Sequence, residues 1–387
     1  MNLFTRIPFR PAQRGMSLVE VMVGLAIGLI GMLVIFQTVT VWDSRTRATT
    51  AGGDSQTTGT IAMFNLERDL RLAGQGFGTA DTIVMGCQVS GYDGNASAAV
   101  GFPMTPVLIV NNDATNQPDQ IATLYGTSPY FTTDQQYSAG SAHSLGTFDR
   151  TGFKSGDLAV VSNIGASLPA SADCQLVEIT DDSSVADPKT LSFNVVSYPH
   201  FYQNGANLPS RFNTAAGIGA SFPSGKVFSL GPRPRRNVWS IASGVLGHAD
   251  DLQGSVFFPA AEGVIDMKAE YGYDLDNDKI VEAAEWMKTL PGPVDWSHVR
   301  AIRVAMLVRS RNFEKPGVVN SAEQNWSAPN PQWHKDGGVT PINFVMRNVD
   351  GTVDAFAAGN ADPNNWRNYR YTVYEKVFPL RNVLWGQ

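Results

Sequence analysis

The sequence is poor in cysteine, histidine and charge. Its 387 residues include two Cys and five His, and only 17% are Asp, Glu, Lys or Arg. Cys87 and Cys174 do not make a zinc site by themselves, and His143, His200, His248, His298 and His334 are scattered with no ligand spacing. Neither His-Glu-x-x-His nor Gly-x-Ser-x-Gly occurs, so the local signatures of zinc proteases and α/β-hydrolases are missing. Positive charge is short as well. A net charge of −6 disfavours general nucleic-acid binding. The one basic cluster, Arg233, Arg235 and Arg236 in Gly-Pro-Arg-Pro-Arg-Arg, lacks interleaved aromatics for base stacking and reads as a solvated Pro-rich turn. Gly74, Gly76 and Gly78 follow a helical pattern rather than opening a helix after a strand, so they are not a phosphate loop. Neither an enzyme nor a nucleic-acid-binding protein is expected.

Charge is scarcest from Met16 to Trp42, a run of 27 residues whose only ionisable side chain is Glu20. At about 1.5 Å rise per residue such a helix crosses a hydrocarbon core of roughly 30 Å. A carboxylate among lipid tails costs several kcal/mol, roughly 2.5–3.5 on insertion scales, so Glu20 needs a partner that its own segment does not offer as a cation. Arg6, Arg10 and Arg14 make the preceding leader positive and place it on the cytoplasmic side, with everything after Trp42 on the far side. The pattern is one pass, amino end inside, with the cut expected before the apolar run.

From Asp43 to Ala73 there is no proline, and Met63, Leu66, Leu70 and Ala73 recur at helical spacing, so the helix is expected to continue. Gly52-Gly53 is its weak point, and Gly74, Gly76 and Gly78 stop it. Beyond, 37 Gly, 22 Pro and abundant Ser, Thr, Asn and Asp argue for short strands joined by turns. Ile265, Met267, Ala269, Tyr271 and Tyr273 alternate with Asp266, Lys268 and Glu270, which predicts a strand with one buried and one wet face. Ile302, Val304, Met306 and Val308, with Arg303 and Arg309 opposite, mark a second strand, and Tyr369, Tyr371 and Val373 begin a third. The three are expected to form an antiparallel sheet on the upper half of the helix. Cys87 and Cys174 both fall outside the cytoplasm, where a disulfide is the natural pairing and two buried thiols are the alternative.

The acidic stretch Asp274-Leu275-Asp276-Asn277-Asp278-Lys279-Ile280-Val281-Glu282-Ala283-Ala284-Glu285 places oxygens where a calcium loop has them. The ligands would be Asp274, Asp276, Asp278, the Ile280 carbonyl, Glu282 and Glu285. Lys279 stands where such loops carry a glycine with positive φ. A solvated acidic turn without metal is the competing reading.

Gly15, Met16 and Glu20 resemble the type IV prepilin family. Its precursors are cut by a dedicated peptidase between a Gly and the following residue, and a Glu stands at the fifth mature position. The resemblance implies cleavage after Gly15, methylation at Met16 in place of the usual Phe, and a Glu20 that meets the terminal amine of a neighbouring subunit. Phe64 to Gly74 is similar to the helix end of PilW-type minor pilins, and Tyr371 to Phe378 followed by Pro379-Leu380-Arg381-Asn382 is similar to their Leu-Arg-Asn ending. The implied fold is α+β and pilin-like: a leader over residues 1–15, a transmembrane helix over 16–42, its continuation over 43–74 and a β-rich extracytoplasmic head over 75–387. The implied function is a minor, tip or initiation subunit of a type IV pilus, in the inner membrane and then at the cell surface. Its partners would be other minor and major pilins, the prepilin peptidase, inner-membrane lipid and the assembly machinery. A type II secretion pseudopilin and a calcium-dependent tip adhesin are the alternatives. The middle, from residue 81 to 261, carries no recognised motif.

Overall fold

The computed structural model describes residues 15–78, 84–130, 134–163, 173–181, 189–218, 222–314, 332–334, 341–352 and 360–384. The leader arginines lie outside the described residues. The chain divides into two compact units, 1–51 and 52–387. Helix α1 runs from Leu18 to Leu72, and Gly52-Gly53 remain helical within it.

In the first unit every residue from Gly15 to Arg47 is exposed. This is the only described helix long and apolar enough to cross a membrane, with mean hydropathy 2.6 in its most apolar window. Polar side chains in the apolar stretch turn back on their own helix: the Thr38 hydroxyl donates to the Val34 carbonyl at 2.8 Å and the Thr40 hydroxyl to Gln37 at 2.9 Å. Such internal pairing is what a segment without water requires.

The second unit is built from three main sheets. An eight-stranded sheet runs in the order 98–103, 88–93, 173–178, 158–163, 225–231, 135–140, 144–147, 190–192, with one parallel pair between Gln88–Asp93 and Asp173–Glu178. A five-stranded sheet runs 257–262, 245–250, 235–242, 120–125, 107–110, and a four-stranded sheet runs 286–287, 264–273, 299–309, 371–379. The three strands anticipated from periodicity are the last three of that four-stranded sheet, and they pair antiparallel as expected.

The helix joins this unit through the residues its spacing singled out. Met63, Leu66, Leu70 and Ala73 pack in one core with Met267, Ala269, Ile302, Val304 and Met306 of the four-stranded sheet and with Val107, Ile121 and Trp239 of the five-stranded sheet. Each large apolar side chain so buried contributes roughly 1.5–3 kcal/mol. Within the eight-stranded sheet Leu158 and Val160 face one core while Ala159 and Val161 face another, the period of two expected of a strand covered on both sides.

Two expectations need correction. Asp266, Lys268 and Glu270 do not form a wet face; all three are buried, because a further core containing Trp333, Phe344 and Trp366 covers that side of the sheet. A register shift between Val264 and Asp266 also moves Ile265 off the face of Met267, so Ile265 packs in that second core and Val264 takes its place in the first.

Candidate functional site

Three groups of side chains carry the functional argument. At the amino end, Gly15 and Met16 lie in non-helical backbone just ahead of α1, and Met16 is 78% exposed. The Ser17 carbonyl accepts from the amides of Glu20 at 3.0 Å and Val21 at 3.2 Å, so Glu20 sits in the first turn. There the helix dipole favours an anion. Ser17-Leu18-Val19-Glu20 also has the spacing of a capping box, a start signal that the sequence reading passed over. The junction is therefore accessible, and a carboxylate stands one turn behind it.

The second group closes the carboxyl end of α1. The Asn382 side-chain amide donates to the carbonyls of Leu72 at 3.1 Å and Ala73 at 3.0 Å, supplying donors to groups that a helix end leaves unpaired. Lys376 bonds Glu67 at 2.6 Å, and Glu67 also receives Arg71. Lys376, more than the opposing effect of burial, holds the Glu67 carboxyl below its usual range. Gly78 fits beneath this contact only because it lacks a side chain, since a Cβ would lie 2.7 Å from the Asn382 carbonyl oxygen. Asp69, on the inner face of the helix, is fully buried and accepts from the Asn237 amide at 2.7 Å, the Trp239 indole at 2.9 Å and the Tyr125 hydroxyl at 3.4 Å. The helix end and the Leu-Arg-Asn segment, separate in sequence, thus meet in space.

The third group is the acidic loop after the strand Val264–Tyr273. Carboxylate oxygens of Asp274, Asp276 and Asp278 lie within 4.8 Å of one another. Asp274 is buried; its Oδ2 accepts from the Lys279 amide at 3.0 Å and from Arg300 Nε at 3.0 Å, while its Oδ1 has no hydrogen-bond partner. Burial raises its pKa, but the Lys279 amide and the Arg300 guanidinium outweigh that and leave it below the usual carboxylate range. Asp276 and Asp278 are exposed and accept from the amides of Asp278 and Ile280. Lys279 has φ of 72°, the left-handed conformation expected of that loop position. Glu282 and Glu285 turn elsewhere. They form a capping box around the short 3₁₀ turn Ala283–Glu285, and Glu285 also accepts from the Leu275 amide at 2.7 Å. Of the six anticipated ligands the loop brings three carboxylates together.

The basic cluster is partly a strand, not wholly a turn: Arg235 and Arg236 open the strand Arg235–Ala242 and pair with Asp250 and Asp251. Arg233 is exposed. The two cysteines are joined, Cys87 to Cys174, with Cα atoms 6.0 Å apart.

Two family models match the chain: the prokaryotic N-terminal methylation motif over residues 10–36, and type IV pilus-assembly protein W over residues 256–382. Over these two stretches the chain is similar to type IV prepilins and to PilW-type pilus-assembly proteins. No curated protein and no solved structure matches it. Gly15, Met16 and Glu20 fall within the first match; the acidic loop, the four-stranded sheet and Asn382 fall within the second. The two matches support a type IV pilus-related, pilin-like protein, and the apolar helix and prepilin motif fit inner-membrane anchoring.

Proposed function

We propose that the protein is a minor subunit of a type IV pilus, placed at the tip or in the initiating complex, and not an enzyme. The precursor sits in the inner membrane with its leader in the cytoplasm and its head outside; the peptidase cuts after Gly15 and the Met16 amine is methylated. The observation that carries this reading is Glu20, the sole ionisable group of the apolar run, in the first turn directly behind the exposed Gly15-Met16 junction. The carboxylate and the new ammonium of an adjoining subunit, removed from water together, offset part of each other's desolvation, whereas either alone is penalised. As the helix leaves lipid, neighbouring helices cover its exposed apolar side chains. The large β-rich head supports a place at the end of a filament rather than along a closely packed shaft, and a role in assembly and thereby in motility or adhesion.

Intact-mass analysis of the mature protein should show loss of residues 1–15 and one added methyl, and Glu20→Gln should stop co-assembly with wild-type pilins while leaving membrane insertion intact. A mature chain that still begins at Met1, or a Glu20→Gln variant that enters filaments at wild-type levels, rejects the reading. Loss of pili on deletion, with secretion through the type II system unchanged, separates it from a pseudopilin role.

A second reading concerns the acidic loop. We propose that Asp274, Asp276 and Asp278 hold a calcium ion, because the buried Asp274 Oδ1 lacks a partner beside two exposed carboxylates. Calcium would supply the positive charge and oxygen-seeking coordination that three adjacent carboxylates need. Arg300 already supplies part of that charge, so the affinity should be modest. Calorimetric titration of the full chain should show calcium binding whose affinity weakens by at least about tenfold in the surface variant Asp276→Ala/Asp278→Ala, a loss of about 1.4 kcal/mol. Equal heats in both proteins assign the loop to a metal-free turn.

A further inference from the structure

Outside both family matches, the second unit contains a cavity of about 600 Å³ beside the strand Leu158–Asn163, under the two-stranded ribbon of Ser197–His200 and Ala206–Pro209. Its size is that of a small-molecule site, typically about 300–1,000 Å³. The floor holds two carboxylates and one guanidinium, each hydrogen-bonded within the protein. Glu178 accepts from the Tyr198 hydroxyl and from the amides of Arg211 at 2.6 Å and Phe212 at 2.9 Å, while the Arg211 guanidinium holds Asp93 through two bonds of 2.7 and 2.6 Å.

The wall is aromatic. His200 stacks on Tyr198 with centroids 5.7 Å apart and meets the edge of Tyr202 at 6.2 Å. Gly156, at φ of +94°, makes room for the imidazole, since a Cβ there would lie 2.2 Å from the ring. The His200 Nδ1 is buried without a hydrogen-bond partner. Burial outweighs the opposing charge of Glu178 and, with a smaller contribution from Arg233, lowers the His200 pKa. The mouth carries the exposed amides of Asn95, Gln203 and Gln253 and the exposed Arg233, which has no ion-pair partner among the described residues.

We propose that this cavity binds an acidic sugar, a pyranose ring bearing a carboxylate, as one residue of a uronic-acid glycan. A guanidinium presents two parallel donors that match a carboxylate. Side-chain amides offer a donor and an acceptor side by side, which adjacent hydroxyls satisfy and an apolar ligand leaves unpaired. The aromatic wall provides an apolar surface for the C–H face of the ring, with polar atoms at its edges. A nucleotide or polyphosphate fits poorly: of the two arginines here Arg211 is neutralised by Asp93, and Glu178 lies at the floor. The inference does not depend on the filament role.

Saturation-transfer NMR and titration would use the full chain in a sugar-free detergent, with digalacturonate as probe and its methyl ester as the uncharged control. Digalacturonate should bind about tenfold tighter than the ester, and Arg233→Ala should erase that preference, the share expected of one charge-assisted contact. Gln203→Ala/Gln253→Ala, a change at exposed positions, should weaken both ligands. The proposal is overturned by absence of transfer to digalacturonate, by an acid preference that survives Arg233→Ala, or by inorganic phosphate displacing the disaccharide as an equal competitor.

Discussion

At the scale of single residues, Asp69 has the largest structural consequence. It is a carboxylate on the buried stripe of a helix, three residues after Leu66 and one before Leu70; its neighbours supply neutral donors, and the exposed Arg68 guanidinium lies 3.9 Å away. Removing one partner from a buried polar set costs about 1–3 kcal/mol for each group left unpaired. Asp69→Ala should therefore lower the unfolding free energy by about 3 kcal/mol in denaturant melts, and adding Trp239→Phe should recover part of the loss by removing one stranded donor. An unchanged midpoint for Asp69→Ala would show the cluster to be energetically neutral. The place of Asp69 on the apolar stripe is a signal that the sequence carries. Lys268 gave no such signal. It is completely buried and bonded to Asp113 at 2.7 Å, with Asp266 at 3.8 Å and Asp119 at 3.9 Å, and what covers it comes from segments distant in sequence. Alternation says that a strand has two faces; it cannot say that both are covered.

At the scale of elements, the long helix and the three principal strands were legible because their periods are unbroken over many residues. The eight-stranded sheet was not. Its strands are three to seven residues long, covered on both faces in places, and paired across large separations. In the acidic loop the spacing of Asp274, Asp276 and Asp278 was readable, but Glu282 and Glu285 were claimed by local backbone amides, a competition that spacing alone does not reveal. The contact between the last turn of α1 and Asn382 makes a separate prediction. Asn382→Ala should cost about 1 kcal/mol, the net worth of one such bond, and should raise amide exchange at Ala73, Gly74 and Gly78 ahead of the rest of the unit. Gly78→Val should do more, because its side chain would strike backbone rather than a movable group. Uniform exchange in both variants would mean that this end of the helix is held by packing alone.

At the scale of the whole molecule, the family matches cover the amino-terminal segment and residues 256–382, and the sheet that lies between them in sequence is held by its own covalent link. Cys87 and Cys174 enclose a separation of 87 residues, for which the chain-entropy model gives roughly 4–5 kcal/mol. Cys87→Ser/Cys174→Ser should lose stability of that order in denaturant, with the eight-stranded sheet opening first; identical melts with and without reductant would rule this out. The order of the elements along the chain carries a further consequence. The strand Tyr371–Pro379 completes the sheet on which Leu66 and Leu70 rest, some three hundred residues after that helix is made. While the polypeptide is still being made, the apolar stripe of the helix therefore waits for the strand that completes its sheet. In that interval the unfinished chain is open to proteolysis and to clumping with its own kind.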